Sequence, residues 1–244
     1  MSDLADLPAR LAAVQARIAK ACDRGGRKAG DVVLVGVSKT HPAAAVAAAW
    51  RAGLRVFGEN RVQEAVAKNR EVAAFIETPP EWHLIGPLQS NKVRLALELF
   101  RTIQSIDRPG IATALDREAG ARGLHLTGFL EVNVGAEASK HGFLPAGLAA
   151  AARPLADLQH LRIAGLMAIP PQSEDPEDSR RWFVRLRELR DELAARPEWS
   201  ARWAGGAGGW LSMGMSHDFE AAVEEGATHV RVGTALFGSR GLPA

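Results

Sequence analysis

The chain has 244 residues, 47% apolar and 24% charged, which is ordinary globular usage and excludes a largely disordered or low-complexity protein. Its 30 basic and 28 acidic residues leave a formal charge of +2, and without a basic run or an aromatic-interleaved patch this gives no footprint for nucleic acid. One cysteine, Cys22, excludes an internal disulfide framework and a cysteine-based zinc cluster, and the absence of tyrosine removes phenolic acid–base chemistry.

The opening residues, Met1 to Asp6, carry acids where a signal peptide needs bases, and no apolar stretch reaches the roughly 18 residues of a membrane span. The expectation is a cytoplasmic protein without a membrane segment. From Leu4 to about Cys22, residues Leu7, Leu11, Val14 and Ile18 form the apolar stripe of an amphipathic helix, which Arg24-Gly25-Gly26 ends. Val32 to Val37 is a continuous apolar run rich in β-branched residues, the mark of a strand buried on both faces. Pro42 then opens an alanine-rich helix at its first turn.

The alternation recurs. Arg55 to Gly58 reads as a strand and Asn60 to Ile76 as a helix. Trp82 to Gly86 precedes a helix from about Ser90, and Thr102 to Ile106 one from Pro109. Leu126 to Val134 is a longer strand, with a helix near Pro145. Arg162 to Ile169 is a strand before a helix from about Pro176 to Ala195. Trp210 to Met213 and Val230 to Val232 complete the strands, with a helix from Asp218 to Glu225 between them. Units of about 26 residues, eight in all, predict an α/β chain folded as a (β/α)8 TIM barrel with an extra N-terminal helix; a doubly wound open sheet is the competitor. One barrel domain is expected over residues 1–244, with 1–30 as helix and lead-in and 31–240 as barrel. Pro170 to Asp178 and Ala204 to Gly209 read as loops inside the repeat.

A barrel builds its site where strands end, so the residues that stop each strand are the candidates. Lys39 follows the apolar first strand with no carboxylate adjacent to it, either as a nucleophilic amine toward aldehydes or as a lysine reaching into solvent. Ser212 to Ser216 and Gly233-Thr234 supply small residues, hydroxyls and backbone N–H groups after the last two strands, where barrels commonly hold phosphate. Together they suggest a ligand bearing both an aldehyde and a phosphate. The seven histidines show no three- or four-residue spacing, so no metal site is expected.

The chain resembles the pyridoxal 5′-phosphate (PLP) homeostasis protein family, whose barrel is similar to the N-terminal domain of alanine racemase, and it does so from Val32 to Gly238. The likeness rests on Val35-Gly36-Val37-Ser38-Lys39, Phe57-Gly58-Glu59-Asn60, Val62-Gln63-Glu64 and the run Trp82 to Lys92. It continues through Gly165 to Ile169, Leu211 to Ser216 and Val230 to Gly238.

The resemblance implies that Lys39 holds PLP covalently as an aldimine, that Ser216, Gly233 and Thr234 contact the phosphate, that Arg231 faces the pyridine nitrogen and that Asn60 lies near the ring. A surface arginine and a helix N-cap asparagine are the competing readings of Arg231 and Asn60. A guanidinium stays protonated, so the ring nitrogen beside it remains uncharged and the cofactor is a weak electron sink. Alanine racemase adds a tyrosine base from a second domain, and this sequence has neither.

The implied function is therefore a PLP carrier without robust turnover, acting in vitamin B6 homeostasis and indirectly on amino-acid and keto-acid metabolism. Its implied partners are PLP and, transiently, PLP-dependent apo-enzymes; a monomer is expected. The alternatives are a PLP-dependent amino-acid racemase or lyase and a cofactor-free Schiff-base aldolase using Lys39. Among weaker candidates, His83 reads as a structural histidine before a ligand contact, and Glu59 as a core-edge partner before a base. Ser212 lacks a visible base. His141 and Arg61 stand where relatives carry other residues, so no role is carried to them.

Overall fold

Eight parallel strands close into a barrel in chain order, with the first hydrogen-bonded to the last. They are β1 (Val33–Val37), β2 (Val56–Glu59), β3 (Glu81–Leu84), β4 (Thr102–Ile106), β5 (Leu126–Glu131), β6 (Leu161–Met167), β7 (Trp210–Met215) and β8 (His229–Val232). The computed structural model describes residues 5–200, 203 and 209–238. The closed order answers the choice left by the sequence: a doubly wound sheet would leave two edges, whereas Val33 to Gly36 of β1 pair with His229 to Val232 of β8.

The helices are α1 (Leu7–Arg24), α2 (Ala43–Arg51), α3 (Val62–Val72), α4 (Val93–Ala96), α5 (Pro109–Ala121), α6 (Leu148–Ala152), α7 (Arg180–Ala194), α8 (Pro197–Ser200), α9 (Phe219–Glu224) and α10 (Thr234–Phe237). Those after β3, β5 and β8 are a single turn or little more. Leu7, Leu11, Val14 and Ile18 are buried as their spacing predicts, at about 1.5–3 kcal/mol for each large side chain withdrawn from water. The reason for α1 lies at the other end of the chain. Among the described residues only the four of α10 follow β8 as helix, too few to cover the seam with β1, and α1 packs against α2, α9 and α10 in their place. Arg17 to Glu220 at 2.8 Å and Arg27 to the carbonyls of Val223 and Ala227 at 2.9 and 2.8 Å fix it there.

Several boundaries differ from the sequence reading. The predicted helix start at Leu4 lies outside the described residues, as do 204–208 of the predicted loop and the end of the barrel span at 239–240. The fifth strand ends at Glu131 instead of Val134, because Val132 leaves the ladder for an isolated bridge with Phe143. There the Asn133 amide donates to the carbonyl of Glu137 at 2.8 Å and its oxygen accepts from the Glu137 N–H at 3.1 Å, turning the chain. The helix expected from Pro176 begins as a 3-10 turn, capped by Asp175, and becomes α-helical at Arg180.

Candidate functional site

Side-chain parity along β1 decides what faces the barrel axis. The space beside Gly36 is taken by Leu54, Leu236 and Phe237 of the outer layer, so Gly36 and Ser38 face outward and Val35, Val37 and Lys39 inward. Lys39 is half-buried, and among the described residues no hydrogen bond or ion pair reaches its amine. The next residue, Thr40, has φ +68°, a left-handed conformation that costs a β-branched residue about 1–3 kcal/mol. That strained turn bends the chain off the strand immediately after the lysine, and the sequence carries no glycine there to announce it.

Glu59 takes the other face. Its Oε1 accepts from Ser38 Oγ at 2.7 Å and from Lys68 Nζ of α3 at 2.5 Å, behind the barrel wall. Lys68 also donates to the Ser38 carbonyl at 2.7 Å. Glu59 is thus a core-edge partner, as the plainer reading had it, and it turns away from Lys39.

Asn60 lies one residue past β2, whose last pair with β1 is Gly58 with Val37, two residues before Lys39. It is not an N-cap: Arg61 holds that position for α3, and no side-chain cap bond forms. The backbone of Asn60 rests directly on Gly86, where an added Cβ would lie 2.4 Å from the Asn60 carbonyl oxygen. Ser105 Oγ donates to the Gly86 carbonyl at 2.5 Å and holds that contact from β4.

On the far side of the seam, Gly214 has φ +89° and the β7–β8 register slips between Ser212 and Met215. A side chain there would meet Ala222 and Phe219, so the bulge needs glycine. The bulge delivers Ser216 to the chain after β8, where its Oγ accepts from the N–H of Gly233 at 3.2 Å and of Ala235 at 3.3 Å. These two donors are gathered on one oxygen whose own proton remains to be given. Thr234 is exposed at the first position of α10.

Arg231 is 4% exposed, which overturns the reading of a surface arginine. Nη1 donates to Ser212 Oγ at 2.6 Å and Nη2 to the Ala168 carbonyl at 2.9 Å. Among the described residues no carboxylate forms an ion pair with it. Burial lowers it to about 10, against the opposing pull of Glu131 and Asp218, so it remains charged at neutral pH. A buried cation held only by neutral acceptors is costly, and a ligand over its free side is the natural compensation. Burial, with Asp107 adding to it, also raises Glu131 at the end of β5.

His83 is 2% exposed and sits inside β3, between Gln104 Nε2 at 2.8 Å and Glu81 Oε1 at 2.9 Å, so its structural reading holds. The Ser212 proton goes to Gln104 Oε1 at 2.7 Å, an amide oxygen and not a base. Gln104 itself was missed; its signal is a polar residue in the middle of a wholly buried strand. Arg61 pairs with Glu64 at 2.8 Å in solvent, and exposed His141 stands 3.9 Å from Asp107. Both line a cavity of about 550 Å³ beside Asn60. Among the described residues no group of three or more His, Cys, Asp and Glu is placed to hold a metal, and no helix is long and apolar enough to cross a membrane.

The family model of the alanine racemase N-terminal domain matches residues 10–241. A relative in Pseudomonas aeruginosa is 46% identical over 246 residues, spanning 100% of both chains. Another in Aquifex aeolicus is 44% identical over 231 residues, spanning 95% of this chain and 97% of its own. Both are named pyridoxal phosphate homeostasis protein. Among solved structures, PipY of Synechococcus elongatus with PLP bound superposes with a TM-score of 0.80 at 40% identity, over 95% of this chain and 100% of that one. Alanine racemase of Corynebacterium glutamicum, at 15% identity and a TM-score of 0.65 over 95% of this chain and 62% of that one, is a likeness of fold alone.

Proposed function

The chain belongs to the pyridoxal phosphate homeostasis protein family, and we propose that its barrel binds PLP at the β1–β8 seam and acts as a carrier of the vitamer. One observation supports this above the others. At that seam an amine without a partner among the described residues, a buried guanidinium without an ion-paired acid among them and two backbone donors gathered on a hydroxyl stand at the same end of the barrel.

When bound, the cofactor supplies an aldehyde that condenses reversibly with a primary amine, releasing water. Lys39 is the amine of this chain, aimed inward by strand parity and uncommitted to any acid. The Ser216 hydroxyl, whose proton is left to donate, would take the phosphate beside Gly233, with Thr234 at the rim. Asn60, seated on Gly86, would flank the ring. Arg231 would meet the ring nitrogen and, as a donor without acceptor capacity, would leave that nitrogen uncharged. Binding and exchange of the vitamer follow from this set, with indirect effects on amino-acid and keto-acid metabolism through the apo-enzymes that receive it.

Borohydride reduction of the PLP-loaded protein, followed by peptide mass mapping, tests the reading. A pyridoxyl label on Lys39 is expected. A label on Lys68 or Lys92 with Lys39 unmodified overturns it, and Lys68 is already committed to Glu59 and the Ser38 carbonyl.

A further inference from the structure

A line of hydrogen bonds crosses the barrel interior from Arg231 to the floor, and its link from β7 to β4 joins strands that are not neighbours. Arg231 of β8 donates to Ser212 Oγ of β7 at 2.6 Å, and Ser212 Oγ donates to Gln104 Oε1 of β4 at 2.7 Å. Gln104 Nε2 meets His83 Nδ1 of β3 at 2.8 Å, and His83 Nε2 meets Glu81 Oε1 at 2.9 Å. Ser212 and Gln104 are fully buried and His83 is 2% exposed, so none of them exchanges these partners for solvent.

The direction of every bond follows from the arginine. A guanidinium only donates, so the Ser212 oxygen accepts and its single proton goes on to Gln104. The Gln104 oxygen is then the acceptor and its NH2 the donor, which leaves His83 Nδ1 bare and puts the imidazole hydrogen on Nε2, facing Glu81. The hydrogen bond from His83 is the main cause holding the Glu81 carboxyl below its ordinary range, consistent with a carboxylate closing the line. An amide suits position 104 because it accepts at one terminal atom and donates at the other without carrying charge. At its outer end Glu81 borders a floor cavity of about 680 Å³.

We propose that Ser212, Gln104 and His83 are positioning residues for the cofactor: together with the Ala168 carbonyl they fix the plane of the Arg231 guanidinium that meets the ring nitrogen. This rests on the cofactor reading above. A planar fork needs two anchors to define its orientation, and Arg231 has one just past the end of β6 and one from β7. The β7 anchor is an otherwise rotatable hydroxyl. Gln104 is what stops it from turning, and His83 is what fixes which end of the Gln104 amide faces it. The line thus transmits orientation from the floor to the ring, and no proton needs to move along it.

The test uses PLP-loaded protein with Gln104→Glu, which keeps the shape but loses the donor, beside His83→Leu and the repairing His83→Gln, whose amide can accept from Gln104 and donate to Glu81. Expected are a displaced visible absorption band and about tenfold faster loss of cofactor on dilution for Gln104→Glu and His83→Leu. His83→Gln is expected to restore the wild-type band, and borohydride labelling of Lys39 to persist in all three. Thermal melting of the apo forms separates folding from positioning. Wild-type band and retention in Gln104→Glu and His83→Leu, with only their melting lowered, overturn the proposal and leave the cofactor reading standing. Failure of wild-type protein to take the label at Lys39 removes that reading, and the proposal with it.

Discussion

Lys68 closes on Glu59 at 2.5 Å behind the first two strands, with the lysine side chain 11% exposed and the carboxylate 0%. Removing the lysine leaves a buried charge with only the Ser38 hydroxyl, since Glu59 Oε2 is without a partner. Lys68→Met is therefore expected to cost about 3–5 kcal/mol in urea unfolding, and Glu59→Gln combined with it to recover most of that. Recovery assigns the loss to the unpaired buried carboxylate and not to the missing lysine packing.

Burial, reinforced by His83 and Arg231, pushes His229 down to about 3. The unfolded chain titrates this imidazole near its ordinary 6.5, so between those values the unfolded state binds a proton that the native state refuses. The stability it contributes is complete above about 6.5 and falls as the pH drops, by up to about 1.4 kcal/mol per unit. His229→Phe, beside Phe129 at 5.1 Å and Trp210 at 5.2 Å, should flatten that decline. Urea midpoints at about pH 7 and about pH 4.5 that fall equally in both proteins would place the acid sensitivity elsewhere.

Gly86→Ala puts a methyl group 2.4 Å from the Asn60 carbonyl oxygen and 2.7 Å from its Cα, and backbone does not yield cheaply. A loss of about 1–3 kcal/mol is expected in denaturant titration, with weaker cofactor retention because Asn60 is displaced. Unchanged retention at reduced stability would remove Asn60 from the ring's surroundings.

Ser216→Ala removes the oxygen that collects the Gly233 and Ala235 N–H groups, together with the one hydroxyl proton left to donate. Loaded protein should lose cofactor about tenfold faster in competition with inorganic phosphate, and Ser216→Thr should largely retain it. Equal rates in wild type and alanine variant would move the phosphate away from this cradle.

The strands were legible because each is a continuous apolar run, and the positions of Lys39, Ser216 and Gly233 because they lie just past the ends of such runs. What one sequence did not disclose is facing. Glu59 and Lys39 both end strands and differ only in parity, which becomes plain once Gly36 is seen against Leu54 and Leu236. Asn60 was weighed as a cap because the start of α3 falls within the one or two residues by which helix ends blur. Gln104 lies inside its strand and not at its end, and its partner Ser212 is 108 residues away, a separation that only closure of the barrel brings together.

Closure has a further consequence during synthesis. Lys39 emerges from the ribosome with β1, while Ser216, Arg231 and Gly233 are translated last, and β1 gains its second neighbour only when β8 arrives. A nascent or truncated chain would therefore display the reactive amine without the tail cradle or the guanidinium. On the proposed reading, capture with both ends of the vitamer held would be reserved for finished copies, and unfinished ones would offer at most a bare amine.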